Sequence, residues 1–288
     1  MGPWFAAVIR RRPLLSFFVL TYALCAAAFF TFVAVPNLPY APFWLVGVFS
    51  PTIVALGIAW ITGGAAEVRR LLLGFRRWRF GWPWYLAAIS LALIPLALGI
   101  VYLLLGNPVR GLRPGTTTAF LLVQLLITFL SGPLSEEAGW RGFALPRLQQ
   151  RMSALQASLV LGSLWFFWHV PQYFVPNNTM IPFPIFAPIV LALAILFTWI
   201  YNNTQGSLVA TVLAHFSFNF SGAFLAGHLG LLPPMLLYVG GGAGVVVWVA
   251  AILLLAGPKN LSRRPLAELP FRRREAGKVS VPDPVGVS

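Results

Sequence analysis

The sequence is poor in charge, poorer in acid, and nearly without cysteine. Only 9% of its 288 residues are Asp, Glu, Lys or Arg, against roughly 25% in soluble domains, which argues against a water-soluble globular protein. The single cysteine, Cys25, excludes an intramolecular disulfide framework and a cysteine-based zinc cluster; helix packing is its expected role. Six acids face 20 basic residues, a net charge of +14, and in so apolar a chain these charges must lie outside the spans. The chain has no convincing internal repeat, phosphate-binding glycine loop or nucleotide motif.

What is present is hydrophobic, 59% of the chain. A helix needs roughly 20 mostly apolar residues to cross a bilayer. Such stretches occur at 14–35, 43–62, 85–105, 117–135, 154–174, 184–201, 206–226 and 234–256. They predict an all-α polytopic membrane protein, a bundle of about eight transmembrane helices within 1–258, followed by a basic, flexible cytoplasmic tail at 259–288. The first stretch follows Arg10, Arg11 and Arg12, but its apolar run exceeds that of a signal peptide, so it reads as a retained helix. Assigning alternate loops to opposite sides puts 18 of the 20 basic residues on one face, leaving Arg110 and Arg113 on the other. The positive-inside rule then places both termini in the cytoplasm of a cell-membrane protein. In the loop over 63–84, Arg69, Arg70, Arg76, Arg77 and Arg79 alternate with leucine and tryptophan, as expected of a segment resting on anionic lipid headgroups. Topology accounts for this basic and aromatic mixture, and no nucleic-acid partner is expected.

An ionisable residue within a span costs several kcal/mol, which marks each one as a functional candidate. Glu136 and Glu137 close the fourth span. On a helix Glu137 and Arg141 are four apart, a spacing that favours an ion pair on one face, while Glu136 points about 100° away. Glu137 can then be neutralised by Arg141 while Glu136 faces a cavity as a general base. A juxtamembrane ion-pair cluster that caps a helix is the competing reading. In the seventh span His215 and Asn219 share a face and can together hold a carbonyl oxygen as charge develops on it; a polar contact between helices is the alternative. His169 ends the aromatic run Trp165, Phe166, Phe167, Trp168, where a packed histidine is the commoner outcome. His228 lies among glycines near an external loop, with little to suggest a role.

Taken together these elements resemble the CPBP family of intramembrane glutamic endopeptidases, the CAAX proteases and bacteriocin-processing enzymes also called the Abi family. The family pattern is EExxxR, then FxxxH, then HxxxN. Here the first motif reads Glu136, Glu137 and Arg141, continued by Gly142 and Leu145-Pro146-Arg147-Leu148-Gln149; the third reads His215 and Asn219, preceded by Thr204-Gln205-Gly206-Ser207-Leu208. The second departs, with Trp165 where phenylalanine is usual and His169 intact, a change that bears on packing more than on chemistry. The resemblance is strongest over 117–222. It implies that Glu136 acts with His169 to activate a water, that His215 and Asn219 stabilise the tetrahedral oxyanion, and that Glu137 and Arg141 support them. The implied enzyme is a metal-independent peptide hydrolase with no cofactor, acting on a peptide or protein substrate. Glu, His and His can supply three zinc ligands, but there is no His-Glu-x-x-His helix. The alternative of another class is a non-catalytic immunity or scaffold protein, or a small transporter, using the same polar cluster.

One difficulty is depth. Straight spans with these limits put Glu136 near the cytoplasmic end of the fourth and His169 near the external end of the fifth, too far apart to meet. Either the fourth span continues through 136–150, bent at Pro133 or Pro146, or the fifth starts later. The resemblance further suggests a cavity open to the cytoplasm.

Overall fold

The computed structural model describes residues 2–109, 111–112, 115–177, 180–264 and 269. Among them a short helix, α1 (Pro3–Arg11), precedes the bundle. Seven helices are long and apolar enough to cross a membrane: α2 (Pro13–Ala34), α3 (Tyr40–Arg76), α4 (Trp82–Leu104), α5 (Thr118–Gln149), α7 (Phe183–Asn203), α8 (Leu208–Leu225) and α9 (Pro234–Ala256). The remaining expected span is α6 (Ala154–Trp168), whose 15 residues rise about 22 Å, short of a hydrocarbon core of about 30 Å. The protein is thus an all-α, multi-pass membrane protein. Most of the loop expected over 63–84 is helical, because α3 continues past a kink at Gly64 (φ 60°) as far as Arg76.

The depth difficulty is resolved by the long fourth span. α5 runs for 32 residues and is broken just before Pro133, where Ser131 (φ −88°, ψ 116°) and Gly132 (φ 92°, ψ −80°) leave helical geometry. A positive φ is cheap only for glycine, and Pro133 has no N–H to lose. The Gly132 N–H donates instead to Ser135 Oγ at 2.8 Å. After the break, α5 and α6 form a hairpin whose turn ends in a capping box between Ser153 and Gln156. Counting from this turn at 1.5 Å per residue, Glu136 lies about 20 Å up one arm and His169 about 22 Å up the other. The two candidate residues are therefore level.

Small residues set the packing around this hairpin. A Cβ on Gly139 would fall 2.6 Å from the Pro51 backbone, so only glycine lets α5 cross α3 this closely beside the glutamate pair. On the other side Trp168 Nε1 donates to Ser50 Oγ at 3.0 Å, and the Trp168 carbonyl accepts from buried Cys25. Cys25 therefore packs, as expected.

One end of the bundle is rich in arginine and closely stitched. Arg10 donates to the Ile61 carbonyl, Arg147 reaches Glu67, and Ser207 Oγ donates to the Arg77 carbonyl. The start of the expected tail belongs to this stitching, since Asn202 and Asn203 donate to the carbonyls of Asn260 and Leu261. Apart from 259–264 and 269, the tail lies outside the described residues.

Candidate active site

Glu136 and Glu137 follow the break in α5 and are both buried, yet their partners differ completely. Glu137 Oε1 accepts from Arg141 Nη1 at 2.8 Å and from His215 Nδ1 at 2.9 Å. The pair with Arg141 has the expected spacing; the bond to His215, across 78 residues of sequence, has no signature in the sequence. Because the carboxylate accepts, Nδ1 of His215 carries a proton, and Nε2, whether bare or protonated, faces away from Glu137. Nε and Nη2 of Arg141 have no hydrogen-bond acceptor among the described residues. The guanidinium lies instead over the rings of Trp165 (4.4 Å) and Phe197 (4.8 Å), cation–π contacts that offset part of its desolvation.

Among the described residues Glu136 has no cationic hydrogen-bond partner. Two indoles donate to a single one of its oxygens: Trp165 Nε1 to Oε2 at 2.5 Å and Trp140 Nε1 to Oε2 at 3.2 Å. Both are side-chain donors aimed at an otherwise unpaired buried carboxylate, the situation in which a hydrogen bond contributes most. They occupy Oε2 and turn Oε1 toward a cavity of about 360 Å³ that His169, His215, Asn219 and Gly132 also line.

The cavity brings the expected residues together. A Cβ built on Gly132 would lie 2.8 Å from Asn219 Nδ2, 3.1 Å from His215 Nε2 and 3.4 Å from Glu136 Oε1. One point, left open because residue 132 is glycine, is thus within reach of three candidate groups carried by α5 and α8. His169 lines the same cavity. Its Nδ1 meets the Trp165 carbonyl at 2.8 Å; a carbonyl only accepts, so the proton is on Nδ1 and Nε2 keeps its lone pair. Among the described residues no three His, Cys, Asp or Glu side chains are arranged to hold a metal ion. His228 is not part of the lining; it packs edge-on against Phe120 and Phe224.

Two contributors were not legible beforehand. Gly132 is flagged only by the Gly-Pro dipeptide it forms with Pro133, a general break signal. Trp165 looked like an aromatic replacement that fills space. It is instead the hub: its indole holds Glu136, its ring lies under Arg141, its carbonyl fixes His169, and its edge meets the His215 ring at 5.4 Å.

Residues 118–221 match the family model for type II CAAX prenyl endopeptidase Rce1-like proteins. The chain is also 33% identical over 112 residues to a CAAX prenyl protease 2 from Methanococcus maripaludis, an alignment covering 36% of this chain and 41% of that relative. The chain thus matches less than half the length of that curated relative. The matched region holds the break in α5, the α5–α6 hairpin and the part of α8 that carries His215 and Asn219.

Proposed function

We propose that the chain is a member of the CPBP/CAAX protease family, which residues 118–221 resemble, and that it is an intramembrane endopeptidase using a glutamate-activated water. The observation that carries this reading is the approach of Glu136 Oε1, His215 Nε2 and Asn219 Nδ2 to one point beside Gly132. A water donating its two hydrogens to Glu136 Oε1 and His169 Nε2 has a lone pair directed at a substrate carbonyl carbon. As it attacks, its proton passes to Glu136, and the carbonyl oxygen, now an oxyanion, is held by Asn219 Nδ2 and by His215 in its doubly protonated form. Glu137 compensates that imidazolium from Nδ1. Collapse of the tetrahedral intermediate breaks the C–N bond, and Glu136 returns its proton to the leaving amine. No step needs a metal.

The same reading sets the protein in a cell membrane with its arginine-rich end, and hence both termini, in the cytoplasm. There Arg11, Arg12, Arg147 and Arg151 line a recess beside the first turn of α2, suited to anionic lipid headgroups. The test is hydrolysis of an apolar fluorogenic peptide by the purified, detergent-solubilised chain. Activity is expected to survive metal chelators and to be lost in His169→Ala and in His215→Ala. Undiminished hydrolysis by either variant, with its thermal unfolding unchanged, overturns the assignment.

A further inference from the structure

The active-site cavity has its walls at one end of the bundle. Its lining extends to Trp44 in the first turns of α3, to Gln172 and Ile181 in the connection between α6 and α7, and to Tyr238 in the first turns of α9. α3, α7 and α9 all finish at the arginine-rich end, so these residues lie at the opposite one. Among the described residues no Lys or Arg lines the cavity. Toward the arginine-rich end it is floored by Glu137, Arg141, Phe197 and Tyr201, all buried. At the same depth Trp199, between Phe197 and Tyr201 on α7, packs on Trp84 (4.7 Å) and on Trp248 (6.2 Å). On the α3 and α8 side Leu208 fills the space that Gly74 and Gly142 leave, with its side-chain atoms 2.6 Å and 3.3 Å from the Cβ positions those glycines lack.

Charge supplies an independent direction. Every described Lys and Arg lies in 10–12, 69–79, 141–151 or 259–264, all of which belong to the stitched end or to α5 just above it. By sequence the opposite connections hold only Arg110 and Arg113, which lie outside the described residues; their described parts, 36–39, 105–109, 111–112, 115–117, 170–177, 180–182 and 226–233, hold none. Lys and Arg in short loops fix the cytoplasmic side. The open end of the cavity and the cytoplasmic end of the bundle are therefore different ends.

We infer that the active site is filled from the non-cytoplasmic face of the membrane, and that its substrate is an apolar, uncharged peptide segment exposed there. This is contrary to the cytoplasmic opening expected from the family resemblance. The apolar character follows from the wall beyond the polar groups, where Ile94, Ile189, Leu193 and Val245 stand without a countercharge for a basic or acidic side chain. An ionised flanking residue would be desolvated there without a partner. The inference takes its catalytic groups from the reading above, but its sidedness stands on the cavity and the charges alone.

Sidedness is tested in intact cells carrying the full chain in a Cys25→Ser background, which keeps a donor for the Trp168 carbonyl. Pro176→Cys reports the open end, Arg151→Cys the arginine-rich end and Gln172→Cys the cavity mouth. Each is treated with a membrane-impermeant sulfonated maleimide before and after permeabilisation. The expected result is that Pro176→Cys and Gln172→Cys are labelled in intact cells and Arg151→Cys only after permeabilisation. Labelling Gln172→Cys from outside is expected to abolish hydrolysis of the apolar peptide by membranes from those cells. The reverse labelling pattern overturns the inference, as does full hydrolysis after Gln172→Cys has been labelled. Hydrolysis is measured before labelling as well, so that a chain with the expected sidedness but no activity refutes the catalytic reading while the labelling still decides the direction of access.

Discussion

The two ends of the bundle differ in what they do with charge. At the arginine-rich end, cations outnumber acids and many stay at the surface, and the backbone is tied by side-chain bonds such as those of Asn202 and Asn203 to the 260–261 segment. Inside, below the open end, there are few charges and each is held to a definite partner: Glu137 by Arg141 and His215, Glu136 by two indoles. The first arrangement tolerates movement because water and lipid headgroups solvate it, while the second does not, since a buried charge that loses its partner costs far more than an exposed one. On the proposed reading, orientation in the membrane is carried by one end and chemistry by the other, and substitutions should separate the two.

The largest effect is expected at Gly132. In Gly132→Ala the new methyl would stand among Asn219 Nδ2, His215 Nε2 and Glu136 Oε1 and on a backbone with φ 92°. Peptide hydrolysis should fall by about 10³-fold or more, read as the initial rate of peptide cleavage. Next is Arg141→Ala, which leaves Glu137 buried without its main countercharge. A loss of about 3–5 kcal/mol is expected, visible as a lowered denaturation midpoint, whereas arginine substitutions at the exposed rim should leave that midpoint in place. A smaller change is expected in Trp165→Phe, which restores the family's usual residue while deleting the N–H on Glu136 Oε2. Here kcat should drop about tenfold, the worth of one hydrogen bond to a charged group, with KM unchanged. A shift in KM alone would show that Trp165 shapes the cavity and does not orient the carboxylate. Smallest is the combined Arg11→Gln, Arg12→Gln and Arg151→Gln variant, for which hydrolysis in detergent should match the parent. A marked loss there would mean that the two ends are coupled.

Much of this division was legible in the sequence, because the facts behind it are local. Apolar run lengths set the helices, loop charge gathers the arginines at one end of the bundle, and the four-residue spacing of Glu137 and Arg141 sets their ion pair. The convergence of Glu136, His169, His215 and Asn219 in one cavity was anticipated through family resemblance, and of the two ways out of the depth difficulty, the longer, bent fourth span is the one the structure has. What could not be read were the long-range contacts. The Glu137–His215 bond joins α5 to α8, and the role of Trp165 depends on the face α6 turns toward α5, which no periodicity specifies in helices that are apolar all round. The open end of the cavity was also hidden, since it depends on the shortness of α6 and on where Gln172 and Ile181 come to line the cavity.

The most direct test of the central claim is single-turnover hydrolysis of the apolar peptide by Glu136→Gln. The amide oxygen can still accept from Trp140 and Trp165, so the fold and cavity persist, but the group that would take the proton of the attacking water is gone. A fall of about 10³-fold in the rate, with peptide affinity unchanged, is the predicted result. A rate equal to that of the parent chain would contradict the account, because the water would then be activated elsewhere.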